Sequence, residues 1–212
     1  MKTHRSALPE KKKQLIMAAV QLMVMQGYAG TSVEDICSAA GVTKGSFFHY
    51  FANKEEIAKA AMDAWACGWH EIVDAAHLEQ IEDPLDRVFG LFEVMSAAYL
   101  SSPVGKGCMI GTVAQELARH NEPLREIFAG HFKDWVDRTA RLLDEAKAAH
   151  PPAIDFDSVE VAWWLQSFVQ GTLLIAKSRT DDEFILANIR HCRAYVAGLF
   201  GYANSCCKET SE

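Results

Sequence analysis

The sequence predicts an all-α fold of about nine helices, with a three-helix head at the N-terminus and a larger helical body behind it. Apolar residues recur at helical spacing in every long segment, and no segment alternates at period two as a half-buried strand would. Half of the 212 residues are apolar, which is enough for a substantial core. Residues 1–59 carry eight Lys or Arg against five Asp or Glu, whereas residues 60–212 carry thirteen against twenty-three. We therefore expect a basic head on an acidic body.

The first two helices are marked by their end signals. The first is predicted over residues 9–26, and Gly27 ends it. A capping box opens the second helix, because Thr31 can cap the backbone while Glu34 reaches back to it. This second helix is short.

The second and third helices have the spacing of a helix-turn-helix. Gly41 ends the second, and Thr43 is placed to cap the third over residues 44–51. A generic corner of two helices with a glycine turn would fit the same spacing. The third helix, however, carries a cation, a hydroxyl, an imidazole and a phenol, which is too polar for a core and too aromatic for a plain solvated face. This composition favours a surface that contacts nucleic acid.

Six helices are predicted in the body. Asn53 with Glu56 repeats the cap pattern and opens a fourth helix that runs to about Val73, out of the head. Pro84 begins the fifth helix, which runs to about Leu100. The remaining helices are expected over about 109–119, 123–149, 158–177, capped by Asp157, and 181–201, capped by Thr180 with Glu183.

Composition argues against several classes of protein. No apolar run approaches the roughly 18 residues of a membrane span, and the first five residues lack the apolar stretch of a signal peptide, so we expect a cytoplasmic protein without a membrane partner. Six cysteines without a CxxC pair indicate neither a metal site nor a disulfide framework, and no cofactor is expected.

The enzyme motifs are also missing from the sequence. The eight histidines include no HExxH, and neither GxSxG nor a Gly-rich phosphate loop occurs. Cys108 with His120 or Glu116 is a weak candidate for catalysis. A helical interaction module that does not bind DNA would leave the surface of residues 43–54 unexplained.

Residues 27–57, GYAGTSVEDICSAAGVTKGSFFHYFANKEEI, resemble the DNA-binding signature of the TetR family of transcriptional regulators almost position by position. The resemblance implies a homodimeric repressor that binds a palindromic operator in double-stranded DNA and is released by a small, largely apolar or aromatic effector. It also implies a DNA-binding domain over 1–54, an effector and dimerisation domain over 55–205, and a frayed tail over 206–212. Phe47 and Phe51 would hold the recognition helix on the core of the head.

The same resemblance implies which residues contact DNA. Lys44 and Gly45 would approach base edges, and the helix N-termini agree physically with phosphate binding. Phe48 stands where many members carry Tyr, so one phosphate-contacting hydroxyl is absent, although contact with a thymine methyl remains open. The implied DNA-contacting residues are Thr31, Ser32, Thr43, Lys44, Gly45, Ser46, Phe48, His49, Tyr50 and Lys54.

The last two helices are the predicted dimer interface. Each has a wider apolar face than one buried side requires. The alternative is that both faces serve the core of a single chain, whereas the resemblance favours two helices from each subunit. The predicted interface residues are Trp164, Phe168, Ile175, Ile185, Ile189, Cys192, Val196 and Leu199.

The helices between head and interface should enclose the effector pocket. Bulky inward residues are candidates, although such residues are more often simple core. Polar groups in apolar runs, such as Gln115, Gln166 and Gln170, are informative because their burial needs a partner. The predicted pocket residues are Trp65, Trp69, Phe89, Phe92, Met95, Cys108, Met109, Thr112, Glu116, Phe132, Trp135, Trp164 and Phe168.

Cys108 supports an alternative switch. The segment around it is similar to a stretch in family members that sense electrophiles or oxidants through a cysteine. A following helix N-terminus and nearby Lys106 would lower the pKa of the thiol and favour the reactive thiolate. The alternative is a small buried apolar side chain.

Overall fold

Helices account for most of the structure, a computed structural model that describes residues 8–102, 107–179 and 181–202. Within those ranges there are nine α-helices and no β-strand, which confirms the predicted all-α fold. None of these helices is both long and apolar enough to cross a bilayer. The tail over 206–212 lies outside the described residues. The helices are α1 (Glu10–Gln26), α2 (Val33–Ala39), α3 (Lys44–Tyr50), α4 (Lys54–Ala75), α5 (Pro84–Leu100), α6 (Met109–Leu117), α7 (Glu122–Ala149), α8 (Ser158–Ala176) and α9 (Glu183–Leu199).

Three predicted caps are confirmed. Thr43 accepts a hydrogen bond from the backbone N–H of Ser46, and Asn53 accepts one from Glu56. Asp157 caps α8 in the same way. These side chains satisfy amide donors that have no partner within the first turn of a helix.

The capping box of α2 lies one residue later than predicted. Ser32 and Asp35 form it, instead of Thr31 and Glu34. Thr31 is fully buried, and its hydroxyl donates to the Gly27 carbonyl at 2.7 Å. The predicted register is wrong because this bond uses the Thr31 side chain to close the turn between α1 and α2.

The helix α9 begins at Glu183. Thr180, its expected cap, lies outside the described residues. The Asp181 carboxylate accepts from the backbone N–H of Phe184, while Glu183 pairs with Arg190 further along the helix. A 3-10 turn over Leu78–Gln80, between α4 and α5, was not predicted.

Two apolar clusters form the core. The body cluster lies among α5, α7, α8 and α9. The head cluster joins α1 to α4 with residues of the body, since Met109, Ile110 and Val113 of α6 and Leu124 and Phe128 of α7 are buried in it. The core of the head is therefore completed by two helices that follow α5 in the chain.

A carboxylate of the body holds the turn between α1 and α2. Glu116 of α6 accepts hydrogen bonds from the backbone N–H groups of Tyr28, at 3.0 Å, and Ala29, at 2.6 Å. Gly27 precedes them with φ of +80° and ψ of 177°, a conformation that essentially only glycine adopts. A Cβ at position 27 would overlap the Glu116 carboxylate. The glycine that ends α1 thus also makes room for this contact.

We predict that Gly27→Ala lowers the free energy of unfolding by about 1–3 kcal/mol, because an L side chain is strained in this conformation and displaces Glu116. Gly130→Ala is the control, since Gly130 lies within α7 with open space around it. That change should stabilise the protein by up to about 1 kcal/mol through helix propensity. Urea unfolding of both variants measures the difference, and equal stability of Gly27→Ala and wild type would show that position 27 does not require glycine.

Candidate functional site

The recognition helix α3 is fixed on the head by two aromatic rings. Phe47 is fully buried and Phe51 nearly so, with their ring centroids 5.8 Å apart. The opposite side of the helix is exposed. Its exposed residues are Thr43, Lys44, Gly45, Phe48 and His49, flanked by the half-buried Ser46 and Tyr50. The segment 43–50 therefore presents the predicted contact residues together on one surface.

Lys44 and Phe48 give this surface its chemical character. The Lys44 ammonium forms an ion pair with the exposed Glu34 carboxylate of α2. Phe48 is 56% exposed, which is unusual for a phenylalanine unless it has a partner. The rings of His49 and Tyr50 meet edge to face at 4.7 Å. The free N-terminal amides of α3 lie at the same end as Lys44, so this end of the helix attracts anions.

Two predicted DNA contacts do not lie on this surface. Thr31 is fully buried, so its assignment as a phosphate contact is wrong. The Lys54 ammonium donates to the carbonyls of Tyr28 and Thr31, at 3.0 and 2.9 Å, and lies 4.0 Å from the centroid of the Tyr28 ring. Its visible role is to hold the turn between α1 and α2. Ser32 is half-buried and caps α2.

A cavity lies between α4 and the body helices. The free space inside it is about 80 Å³. Aromatic side chains from α4, α5 and α7 form much of its wall. The predicted residues that line it are Trp65, Trp69, Met95, Cys108, Phe132, Trp135, Gln166 and Gln170.

Three predicted apolar residues lie elsewhere. Phe92 is buried in the core of the body, and Met109 in the core of the head. Phe89 packs at the edge of the body cluster, where the Arg193 guanidinium lies 4.7 Å from its ring centroid. They pack away from the cavity, and periodicity could not predict this, because it identifies an inward side chain but does not distinguish a packed core from a cavity.

Four further predicted pocket residues also lie outside the wall of this cavity. The Thr112 hydroxyl accepts from the Lys177 ammonium at 2.7 Å, and Glu116 holds the turn between α1 and α2. Trp164 and Phe168 stack on each other with ring centroids 5.2 Å apart, and neither lines the cavity. These side chains belong to contacts between elements or to the outer face of α8.

The polar part of the wall was largely missed. His131, Arg138 and Thr139 of α7 line the cavity, as do His70 and Tyr99. His131 precedes Trp135 by four residues, and Arg138 and Thr139 follow it by three and four. All three therefore lie on the same face of α7 as Trp135. The helical spacing from Trp135 could therefore have predicted these three residues.

Arg138 and His131 in this wall each lie near a carboxylate. Arg138 Nη2 lies 2.7 Å from an Asp74 carboxylate oxygen. His131 Nε2 lies 3.3 Å from Asp63 Oδ1, at ion-pair distance but without the geometry of a hydrogen bond. Within the described ranges, no group of three or more His, Cys, Asp or Glu is placed to hold a metal ion.

Cys108 lies in the wall of the cavity and caps α6. Its Sγ accepts from the Gly111 backbone N–H at 3.5 Å and is hydrogen-bonded by the side chains of Gln170 and Trp65. These donors favour the thiolate, but burial outweighs them and raises the pKa of the thiol above its ordinary value. The expectation of a lowered pKa is therefore wrong. Lys106, on which it partly rested, lies outside the described residues.

The outer faces of α8 and α9 leave aromatic and aliphatic side chains exposed. Trp164 is 39% exposed and Ile175 52%, while Phe168 is half-buried between them on the same face. Tyr195 of α9, which was not predicted, is 40% exposed and lies with its ring centroid 4.3 Å from that of Trp164. The five predicted interface residues of α9 are buried in the core of their own chain: Ile185, Ile189, Cys192, Val196 and Leu199.

Comparison with known families agrees with this architecture. The family model described as "Bacterial regulatory proteins, tetR family" matches residues 15–61, which cover the helix-turn-helix. A second, described as "Tetracyclin repressor-like, C-terminal domain", matches residues 84–192, about half of the chain. The chain belongs to the TetR family. It is accordingly a DNA-binding transcriptional regulator, and this family membership argues against an enzyme.

Individual TetR-family proteins are similar over most of their length. The transcriptional regulator AcuR of Cereibacter sphaeroides is 30% identical over 77% of this chain and 74% of its own. The transcriptional repressor DhaR of a Mycobacterium species is 25% identical, over 81% of this chain and 85% of its own. The crystal structure of a regulatory protein TetR from Rhodobacter sphaeroides superposes with a TM-score of 0.79 at 26% identity, covering 91% of this chain and all of that one.

We predict that Cys108 reacts more slowly with iodoacetamide at pH 7 in the native protein than in the urea-unfolded protein. The thiolate is the nucleophile, and a raised pKa leaves less of it at neutral pH. Native reactivity should rise only as the pH climbs above the ordinary range of a thiol. Mass spectrometry of the Cys108 peptide measures both rates, and equal labelling of the two states at pH 7 would refute the prediction.

Proposed function

We propose that this TetR-family regulator is a homodimeric repressor that binds a palindromic operator through α3 and leaves it when a small, largely apolar or aromatic molecule enters the cavity. The exposed side of α3 is the main support for this proposal. Phe47 attaches the helix to the head, and the opposite side is free to enter a major groove. Operator binding implies that the protein acts in the cytoplasm.

The expected DNA contacts of α3 are of two kinds, with base edges and with phosphates. Lys44 and Gly45 stand at the first turn, where a bare backbone lets the helix approach base edges. Phe48 is placed to contact a thymine methyl. The hydroxyl of Thr43 and the polar side chains that flank it would bind phosphates, which fix the register of the helix on the duplex. In the dimer, two copies of α3 would lie about 34–36 Å apart and contact successive major grooves.

We predict that Lys44→Ala and Tyr50→Ala each weaken binding to a duplex selected from a random pool by roughly 5- to 150-fold, equivalent to about 1–3 kcal/mol. Lys133→Ala is the matched control, because Lys133 is an exposed lysine of α7 that pairs only with Asp137 in its own helix. Fluorescence anisotropy at fixed salt measures affinity, and gel filtration checks the dimer. Unchanged affinity in both α3 variants would show that this surface does not contact DNA.

The dimer interface is proposed on the outer faces of α8 and α9. The aromatic cluster of Trp164, Phe168 and Tyr195 continues along α8 to Ile175. Rings that are about two-fifths exposed leave a hydrophobic patch in water, and a second copy would bury it by two-fold symmetry. Trp163 and Leu174, also exposed on α8, lie at the edge of the same region.

We predict that Ile175→Glu and Tyr195→Glu each convert the dimer to monomer at micromolar concentration, because a carboxylate in an apolar interface loses its hydration without gaining a partner. Met25→Glu is the control, since Met25 is 66% exposed but lies on α1 of the head. Sedimentation velocity reports the mass and circular dichroism the fold. If both Ile175→Glu and Tyr195→Glu remain dimeric, the interface lies elsewhere.

The cavity and the recognition helix are joined by two elements. Trp65 and Trp69 in its wall belong to α4, whose first turns are buried in the core of the head. Cys108 stands at the start of α6, and Glu116 at its end holds the backbone of Tyr28 and Ala29. A ligand that moves either helix would therefore change the separation of the two α3 helices. A coupling of about 1–3 kcal/mol would be sufficient for release.

A further inference from the structure

We propose that the effector is a neutral aromatic molecule carrying a carboxamide group, and that Gln166 binds this group. The inference rests on the proposed regulator function and specifies the chemical class of the molecule that enters the same cavity. It is carried by one buried polar side chain, by the charges around it and by the shape of the wall.

Gln166 is a buried amide without a partner. It is 7% exposed, lies on the inner face of α8 among Ala162, Leu165 and Val169, and lines the cavity. Among the residues that the structure describes, none donates to its carboxamide or accepts from it. A buried amide in apolar surroundings is unfavourable unless it is hydrogen-bonded. Its donor and its acceptor are thus available to a molecule inside the cavity.

Gln170, one turn later on α8, provides an internal comparison. It also lines the cavity, but its amide is hydrogen-bonded to the Cys108 thiol and its Oε1 lies against the Cα of Gly111. Two glutamines on one face therefore have different roles. Gln170 holds the start of α6, whereas Gln166 is left for the ligand.

The charges of the wall favour a neutral ligand. Arg138 is already paired with Asp74, whereas His131 Nε2 lies 3.3 Å from Asp63 Oδ1 without a hydrogen-bond partner in the part of the chain that the structure describes. Within the described part of the wall there is no Asp, Glu or Lys, so a cationic ligand would find no counter-charge. An anionic ligand would have to compete with Asp74 for Arg138. A carboxamide has a hydrogen-bond donor and a hydrogen-bond acceptor but carries no charge.

The shape of the wall favours a flat ring. Trp65, Trp69, Tyr99, Phe132 and Trp135 present aromatic faces and edges to the same space. A planar ring makes stacked or edge-to-face contacts with such side chains, whereas a flexible chain loses more conformational freedom on binding. A carboxamide conjugated to a ring is flat throughout and presents a donor and an acceptor side by side. This pair is complementary to the carboxamide of Gln166.

The test compares three one-ring probes on the full-length protein: benzamide, sodium benzoate and toluene. Quenching of tryptophan fluorescence is the readout, because Trp65, Trp69 and Trp135 line the cavity. We expect benzamide to bind about tenfold more tightly than either of the others, the factor typical of a hydrogen-bonded pair. Gln166→Leu should remove this preference, while Gln80→Leu, at an exposed glutamine in the 3-10 turn, should keep it.

A second measurement checks that Gln166→Leu folds. Its melting temperature without any probe should equal or exceed that of the wild type, because the change removes an unpartnered buried amide. Equal affinity for all three probes, tightest binding of benzoate, or an unchanged preference in Gln166→Leu would each overturn the inference. If these results came from a protein that still binds its selected duplex, the proposed regulator function would stand and only the ligand class would fail.

Discussion

The head of this protein depends on apolar residues that the body supplies. Met109 and Val113 of α6 and Leu124 of α7 are fully buried against α1 and α4, and Glu116 binds the turn that leads into the helix-turn-helix. A close-packed core does not deform continuously, so α6 cannot shift without repacking the head. Regulation therefore needs no separate signalling path, because the helix that borders the cavity is part of the platform on which α3 rests.

The helix pattern could be predicted from sequence because the signals are local. The caps at Thr43, Asn53 and Asp157 each depend on residues within one turn, and all three are observed. The error at the start of α2 has a different origin. Thr31 with Glu34 and Ser32 with Asp35 both satisfy the capping pattern, and the choice is made by a bond from Thr31 to Gly27 in the preceding turn. Tertiary contacts decide between local alternatives that the sequence alone leaves equal.

The candidate sites could be predicted only where exposure follows from the motif. The exposed side of α3 follows from two buried phenylalanines, so its exposed residues could be predicted. The burial of Thr31 and the carbonyl contacts of Lys54 could not. The periodicity of α9 identified a buried face but did not show whether the same chain or a partner subunit covers it. Ile189 is buried in the core of its own chain. The same limit applies to the cavity. Trp65 and Phe92 both stand at inward positions of a helix, but Trp65 lines the cavity and Phe92 is packed in the core.

The ion pair between Lys44 and Glu34 bears on how this regulator distinguishes its operator from other DNA. In the proposed complex, Lys44 would exchange the Glu34 carboxylate for acceptors on the DNA, so Glu34 would act as an intramolecular competitor. Contacts driven by charge alone are weakened by this competition, whereas a correct site adds base-edge contacts that offset it. In that complex, an acidic residue beside the recognition helix would improve discrimination between DNA sequences at the expense of overall affinity for DNA.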